Sequence, residues 1–320
     1  MRDVLIALAP AAFAGLWFYG GRVLLVYAVT VTSCVISEYI CRKLMRRDNT
    51  IRDLSAVVTG ILLAFNLPPS IELWKAAVGG AAAIIIGKQI FGGIGQNFMN
   101  PALVGRIVLL TSWSASMTRW TAPIPGGIFR AAQSAAGVDA VDAISSATPL
   151  AQAGEFYRNG IMPQGGLTSY FNLFFGAIAG CIGEISAFAL LIGGIYLLAR
   201  GVISWHIPVT FIATTAAITW IFGRSGALFG GDPLYHVLAG GLLLGSIYMA
   251  TDYSTSPITA KGKIIMGVGC GLLTAVIRLF TTSPEGVSYS ILIMNAVTPL
   301  IDRYTAPVVF GGEKPRGTDR

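Results

Sequence analysis

The chain has 320 residues, of which 54% are hydrophobic and 12% are charged, and its formal net charge is +7. Soluble domains carry roughly 25% charged residues, so the composition excludes an ordinary soluble protein and indicates a polytopic membrane protein. The positive charge does not indicate nucleic acid as a partner. Lys and Arg lie mostly in short connections between apolar segments, where they set the membrane topology.

Ten apolar segments follow one another along the chain, each near the length of about 17 to 25 residues that a membrane span needs. They cover residues 4–19, 22–41, 54–67, 73–91, 99–113, 183–200, 204–222, 234–251, 262–280 and 286–302. The first lacks a small-residue cleavage site, so we expect it to be retained. Glycine pairs inside the segments predict closely packed helices; they are Gly79-Gly80, Gly193-Gly194 and Gly240-Gly241. The sequence therefore predicts an all-α protein of about ten transmembrane helices in the lipid bilayer.

The connection "CRKLMRRDNTIR" after the second segment gives the orientation, because short basic loops remain cytoplasmic. Both termini are then cytoplasmic. The chain divides into a five-span unit at 1–113, a long outer-face loop at 114–168, a second five-span unit at 169–303 and a cytoplasmic tail at 304–320. The second unit begins with a Gly-rich stretch that is too short to span, so we expect a re-entrant or interfacial segment there.

The two five-span units show a weak internal repeat. "NFMNPALVGR" has an echo in "LIMNAVTPLIDR", and "LSAVVTGILLAFNLPP" has one in "YHVLAGGLLLGSIYMATDYSTSP". An odd number of spans inverts the second copy, and inverted repeats place a pathway at their interface. The residues that break the spans are the candidates for this pathway: Asn66, Asn100, Pro101, Thr251, Asp252, Asn295 and Pro299. Chance similarity or matching helix caps would also explain the pairs.

Asp252 is the charged residue with the most suggestive surroundings. In "MATDYSTSP" it is flanked by Thr and Ser oxygens, which suit a hard cation. A helix-end Asp with a capping role is the alternative. The remaining charged residues in or near spans can pair locally or reach the membrane interface; they are Glu38, Lys88, Arg106, Glu184 and Arg278.

The sequence offers few candidates for other chemistry. His206 and His236 lie near helix ends, where structural or capping roles are expected. The four cysteines lack metal-ligand spacing and are expected to be small buried side chains, although one could still contribute to a site shared with a partner. No catalytic triad, Walker loop or dinucleotide-binding motif is present. From the residues alone, a passive solute channel or carrier with inverted repeats is one function that the sequence suits.

Five motifs in a fixed order carry a resemblance to a known family. They are "NFMNPALVGR", "DAISSATPL", "GCIGEIS", "TDYSTSPIT" and "PEGVSYSILIMNAVTPLIDR". The chain resembles the D subunits of the bacterial Rnf complex, the ion-translocating ferredoxin:NAD oxidoreductase, and the related B subunits of the sodium-pumping NADH:quinone reductase. The resemblance extends from about Leu5 to Arg303, and the modest length favours the Rnf member.

The resemblance implies a covalent flavin. In this family, FMN is joined through its phosphate to a threonine by a separate flavin transferase, which reads a short signal. Asp142, Ala143, Ser145, Ala147 and Thr148 match that signal, and Ser146 stands where the family usually has Gly. Thr148 is thus the expected attachment point. Pro149 biases it toward an extended conformation.

The resemblance also implies partners and a location. The expected partners are other Rnf membrane subunits, a second flavin-bearing subunit, iron–sulfur subunits that hold the NADH site, and sodium or protons. A second, non-covalent flavin such as riboflavin is a further expectation. The protein would lie in the bacterial inner membrane with the flavin loop on the outer face. Alone it would not be active; a scaffold that only anchors the complex is the remaining alternative.

Overall fold

The structure is a computed structural model that describes residues 1–48, 50–124, 126–127, 147–159, 166–223, 228–281 and 286–306. Its regular segments in these ranges are helices, as predicted for an all-α protein. Fourteen α-helices are described: α1 (Arg2–Tyr19), α2 (Arg22–Leu44), α3 (Ser55–Phe65), α4 (Leu73–Ile84), α5 (Pro101–Ser112), α6 (Ser114–Met117), α7 (Pro149–Asn159), α8 (Tyr170–Phe175), α9 (Ala187–Ala199), α10 (His206–Phe222), α11 (Pro233–Leu238), α12 (Leu242–Leu244), α13 (Ala260–Phe280) and α14 (Val287–Thr305). Two π-helical turns (Ile85–Gln89 and Gly245–Met249) and two 3₁₀ turns (Ile51–Asp53 and Ile182–Glu184) complete them.

The helices are those of an integral membrane protein. By length and hydropathy, α1, α2 and α13 are each able to cross a bilayer, and α3, α5, α9 and α10 are shorter apolar helices. Described helices lie in all ten predicted apolar segments. Large apolar side chains remain exposed on the outside of the bundle, for example Phe13 at 62% and Leu24 at 51%. Such a surface is stable in lipid, where apolar exposure carries no hydration cost.

The helices pack in two groups joined by α1 and α9. In the first group, α2 packs on α3 and α4, and α4 packs on α5. In the second, α10 packs along α13, and α13 packs on α14. Helix α1 precedes the first group, and it packs against α9, which precedes the second group. The core between the groups is a single large hydrophobic cluster.

The bundle has two ends, which we name after their candidate residues. At the Thr148 end, the Arg22 side chain donates to the Pro69 carbonyl oxygen, and the Tyr235 hydroxyl donates to the Pro149 carbonyl oxygen. At the Asp252 end, the Asn100 side chain donates to the Met249 carbonyl oxygen. Helices α7 and α8, which follow the long connection after α5, pack at the Thr148 end.

The predicted span at 234–251 is interrupted in the structure. Ala239 has an extended backbone with φ −87° and ψ 139°, and Gly240 has a φ of +69°. A continuous α-helix contains neither conformation, and the second favours glycine. The segment consists of α11, the break, α12 and the π-helical turn Gly245–Met249. At the break, the carbonyl oxygens of His236 and Ala239 accept hydrogen bonds from the buried Arg278 side chain.

The predicted close packing at glycine pairs is confirmed. A Cβ atom at Gly80 would lie 3.1 Å from the Cβ of Ser33 on α2, and one at Gly194 would lie 3.0 Å from Ile247 Cγ2. One at Gly241 would lie 2.7 Å from Glu184 Oε1. A side chain at any of these three positions would therefore force the neighbouring segment or side chain to shift.

Candidate functional site

Thr148 caps a helix that the sequence pattern did not predict. Its Oγ1 atom accepts a hydrogen bond from the backbone N–H of Ala151 at 3.2 Å, and Pro149 is the first residue of α7. This is the usual arrangement of an N-cap threonine. Leu150 is buried, and the Tyr235 hydroxyl donates to the Pro149 carbonyl oxygen at 3.1 Å. Thr148 is therefore held at a fixed place on the bundle.

A narrow cleft opens beside Thr148, and three buried charges line it. Arg106, Glu184 and Arg278 are 4%, 7% and 4% exposed. Arg278 donates from Nη1 to the His236 carbonyl oxygen at 2.5 Å, and Glu184 interacts electrostatically with Arg106 and Arg278. Two cations and one carboxylate leave an excess of positive charge. The N-terminus of α7 adds its own partial positive charge next to it.

A second cavity, which we call the α7 cavity, lies on the other side of Leu150. This cavity is partly open to the surroundings. Its lining residues are Leu150, Ala153, Gly154, Tyr157, Phe222, Gly223, His236, Arg278, Leu279 and Phe280. Leu150 and Arg278 line both the cleft and this cavity, so the two spaces are neighbours.

A chain of polar contacts runs from the cleft into the core. Arg106 Nη1 donates to Asn66 Oδ1 at 2.8 Å and to the Ser288 hydroxyl at 2.9 Å. Asn66 Nδ2 lies 3.5 Å from the sulfur of Met249, and Asn100 Nδ2 donates to the Met249 carbonyl oxygen at 3.1 Å. The residues from Arg106 to Asn100 therefore connect the two helix groups through Met249.

Asn295 joins this chain from α14. In the amide orientation that satisfies its neighbours, its oxygen accepts from the Asn100 backbone N–H at 3.2 Å, and its nitrogen donates to the Thr255 carbonyl oxygen at 3.3 Å. Asn100 also caps α5, because its Oδ1 accepts from the Ala102 N–H at 3.0 Å. Asn100 therefore has a helix-capping role, which is the alternative explanation of the repeated Met-Asn pair. Asn295, in contrast, lies within α14.

Asp252 lies beside a large cleft at its own end of the bundle. This cleft is lined by Thr251, Asp252, Asn100 and Lys88 together with apolar side chains. The Asp252 carboxylate accepts from the Ser254 hydroxyl at 3.0 Å. The structure therefore brings four of the seven candidates for the pathway to one cleft, namely Asn100, Pro101, Thr251 and Asp252, and links Asn295 to it through Asn100. A cation at Asp252 stays a prediction.

The buried pair of Glu38 and Lys88 is the clearest local ion pair. Lys88 Nζ lies 2.9 Å from each carboxylate oxygen of Glu38 and 2.5 Å from the Ser55 hydroxyl. Glu38 is 0% exposed and also accepts from Thr50 at 2.7 Å. Local pairing, which the sequence suggested for both residues, is confirmed.

The sequence interpretation located some of the site and missed the rest. Thr148, Ala147 and Pro149 are described, whereas Asp142, Ala143, Ser145 and Ser146 lie outside the described residues. The convergence of Arg106, Glu184 and Arg278 on Thr148 was not foreseen. Their only signal in the sequence was the rarity of charged residues inside apolar segments.

Comparison with known proteins identifies the family. The chain is 46% identical to the D subunit of the Na(+)-translocating ferredoxin:NAD(+) oxidoreductase complex of Acetobacterium woodii, over 98% of this chain and 91% of the relative. It is 44% identical to the proton-translocating counterpart of Clostridium ljungdahlii, over 97% and 91%. It is 35% identical to the D subunit of the ion-translocating oxidoreductase complex of Halorhodospira halophila, over 100% and 94%. Residues 1–311 match the model of the NQR2, RnfD, RnfE family, and the chain belongs to this family.

Proposed function

We propose that this chain is the D subunit of an ion-translocating ferredoxin:NAD oxidoreductase complex, carries FMN as a phosphoester on Thr148, and couples electron transfer to translocation of sodium or protons. The names of its relatives support the complex and the coupling. The observation that carries the flavin is the position of Thr148, which caps α7 beside the cleft with Arg106 and Arg278.

The residues at Thr148 fit a phosphate group. The N-terminus of a helix offers N–H donors and a partial positive charge to an anion. Arg106 and Arg278 add two cations against the single carboxylate of Glu184. Guanidinium groups match phosphate oxygens well. The hydroxyl of Thr148 would form the ester, and the two arginines would offset the charge of the phosphate.

When bound, a flavin accepts and releases electrons, and the protein positions it and tunes its potential. Thr148 would fix the flavin without an affinity requirement, since the bond is covalent. The packing of Leu150 and the hydrogen bond from Tyr235 to Pro149 would hold its attachment point at a constant distance from the core. Electron transfer depends on such a fixed distance.

The ion pathway in this proposal follows Asp252, Thr251, Asn100 and Asn295. Two lines of packing support an inverted five-span repeat: α2 on α4 and α4 on α5 have counterparts in α10 on α13 and α13 on α14. Asn66 directly follows α3, and Asp252 lies three residues after the π-helical turn, so a polar residue follows the helical part of each sequence echo.

Charge supports the orientation. Basic side chains collect at the Asp252 end: Arg42, Lys43, Arg46, Arg47, Arg52, Arg200, Lys261, Lys263 and Arg303. Positive residues remain on the cytoplasmic side. The Asp252 end with both termini would therefore be cytoplasmic in the bacterial inner membrane, and Thr148 would lie on the outer face.

The remaining partners follow from the same assignment. Other Rnf subunits, which carry a further flavin, iron–sulfur clusters and the NADH site, would assemble around this chain, and a flavin transferase would modify it. The largely apolar walls of the cleft at the Asp252 end would offer a non-covalent flavin such as riboflavin a place to bind.

The first test is attachment of the flavin. The full chain is expressed with and without the transferase, run on a denaturing gel and viewed under ultraviolet light beside Thr148→Ala. We expect a fluorescent band that needs the transferase and is lost in the variant, with FMN on the peptide that contains Thr148. A dark band despite an active transferase would overturn the flavin and favour a passive channel or carrier, which vesicle uptake by the purified chain would then test.

A further inference from the structure

The α7 cavity lies within reach of a group attached to Thr148. Its lining residues on α7 are Leu150, Ala153, Gly154 and Tyr157, whose spacing places them on one helix face. At about 1.5 Å per residue, Gly154 is about 9 Å along α7 from Thr148. The extended ribityl phosphate of a flavin mononucleotide covers a distance of this order.

The walls of the α7 cavity suit a flat aromatic ring. Tyr157, Phe222 and Phe280 supply aromatic surface, and Gly154 supplies space on the helix face. Phe222 and Phe280 are 54% and 72% exposed, so they stand at the mouth of the cavity. Apolar and aromatic walls with a few polar groups are typical of cofactor pockets.

Two polar groups face the cavity from its buried side. His236 is 5% exposed, and neither of its ring nitrogens has a hydrogen-bond partner among the described residues. Arg278 donates to the His236 carbonyl oxygen and borders the same space. Buried polar atoms without partners are rare and point to a ligand or an ordered water. A flavin ring carries donors and acceptors along one edge that would satisfy them.

We propose that the α7 cavity holds the ring of the flavin carried on Thr148, with Tyr157 and Phe280 against its faces and His236 and Arg278 at its polar edge. This inference rests on the proposed function. It assigns Arg278 a second task besides offsetting the phosphate: a cation beside the ring favours the form that carries added electrons and raises the midpoint potential. His236 and Arg278 are then positioning and tuning residues for electron transfer.

The test uses the full chain expressed with its transferase and purified in detergent. Redox titration follows the absorbance of the covalent flavin, with Thr148→Val as the blank for any flavin that is not covalently bound. Arg278→Gln should lower the midpoint potential by at least about 59 mV. For a one-electron couple, this shift corresponds to a tenfold change in the ratio of reduced to oxidised flavin. Arg278→Lys should keep most of the original potential.

Histidine variants give a matched comparison. His236→Gln should shift the potential, because it changes the groups at the polar edge. His206→Gln, at the other histidine of the chain and at the opposite end of the bundle, should leave it unchanged. Equal potentials in the unsubstituted chain, Arg278→Gln and His236→Gln, with Thr148 fully flavinylated, would overturn the inference.

A steric variant keeps the test decisive if Arg278→Gln does not fold. Gly154→Leu fills the cavity from a helix position where Leu is favoured over Gly. Iodide should quench the flavin fluorescence of this variant more strongly than that of the unsubstituted chain, because the ring is displaced into water. Unaltered quenching with full attachment contradicts the inference alone. A dark gel band for the unsubstituted chain would overturn the proposed function as well.

Discussion

Thr148 combines two properties that substitution by alanine removes together. Its hydroxyl caps α7, and in the proposed function it also carries the flavin. Thr148→Asn separates them, because asparagine is a good N-cap but has no hydroxyl to esterify. We expect this variant to lose the fluorescent gel band and to keep the thermal stability of a chain that lacks flavin.

The control for this prediction is Thr148→Ala, which should be less stable than Thr148→Asn by about 1 kcal/mol, the usual cost of a lost N-cap. Thermal unfolding in detergent, with both variants prepared without transferase, measures the difference. Equal unfolding temperatures would show that the cap contributes nothing to stability.

Glu38 and Lys88 illustrate the cost of a charge that loses its partner. Glu38→Gln alone or Lys88→Met alone should destabilise the protein by about 3–5 kcal/mol, because each leaves the other charge buried and unpaired. The double variant should be less destabilised than the sum of the single variants. Thermal unfolding of the four proteins measures this difference.

The pair of Glu72 and Lys75 provides the comparison, since the Glu72 side chain is 55% exposed although that of Lys75 is only 9% exposed. Lys75→Met should change the unfolding temperature much less than Lys88→Met, because water solvates the Glu72 carboxylate that remains. Similar effects at both positions would mean that the Glu38–Lys88 pair is solvated in the native protein.

At the scale of elements, glycine sets the distance between helices. A Cβ at Gly60 on α3 would lie 2.7 Å from the Cα of Val31 on α2, so no side-chain movement relieves the contact. Gly60→Ala should lower the unfolding temperature through overpacking, which typically costs about 1–3 kcal/mol.

Gly21→Ala is the matched control. No atom lies within 4 Å of a Cβ built at Gly21, and its φ is −62°. This variant should unfold close to the temperature of the original chain. An equal loss of stability in both variants would indicate an effect of backbone entropy or helix capping rather than of the contact with α2.

The elements that the sequence predicted well are those with strong local signals. Long apolar runs predicted α1, α2 and α13, because a helix that crosses a bilayer needs a continuous apolar sequence of about that length and satisfies its own backbone hydrogen bonds there. Helix α7 was missed because its own sequence, "PLAQAGEFYRN", is only weakly apolar, and its buried face is visible only once it packs beside Leu173 and Tyr235. The break at Gly240 had a signal in Gly240-Gly241, which was interpreted only as close packing.

At the scale of the whole molecule, the site depends on contacts between distant parts of the chain. Asn66, Asn100 and Asn295 were predicted because polar residues interrupted apolar segments. The contacts of Asn66 and Asn100 with Met249, the link from Asn295 to Asn100, and the meeting of Arg106 with Arg278 at Thr148 required the tertiary fold. No spacing rule links positions that are more than a hundred residues apart.

Asp252→Asn tests the coupling of the whole complex. In an assembled complex it should retain most electron transfer and lose ion transport, because a neutral amide replaces the carboxylate beside the cleft. Paired assays of ferredoxin-dependent NAD reduction and of ion uptake into vesicles measure the two activities. Thr251→Val, which removes a neighbouring hydroxyl without changing charge, is the control and should weaken transport less. Unchanged transport in Asp252→Asn would favour the scaffold alternative.

The polar chain from Arg106 through Asn66 and Met249 to Asn100 separates the cleft at Thr148 from the cleft at Asp252. Where water enters both clefts, the membrane voltage would fall mainly across the protein between them. One elementary charge moved through 100 mV corresponds to about 2.3 kcal/mol. In the proposed function, a cation that passed only this polar chain would therefore experience most of that energy, and the residues around Met249 would carry most of the electrical work across the membrane.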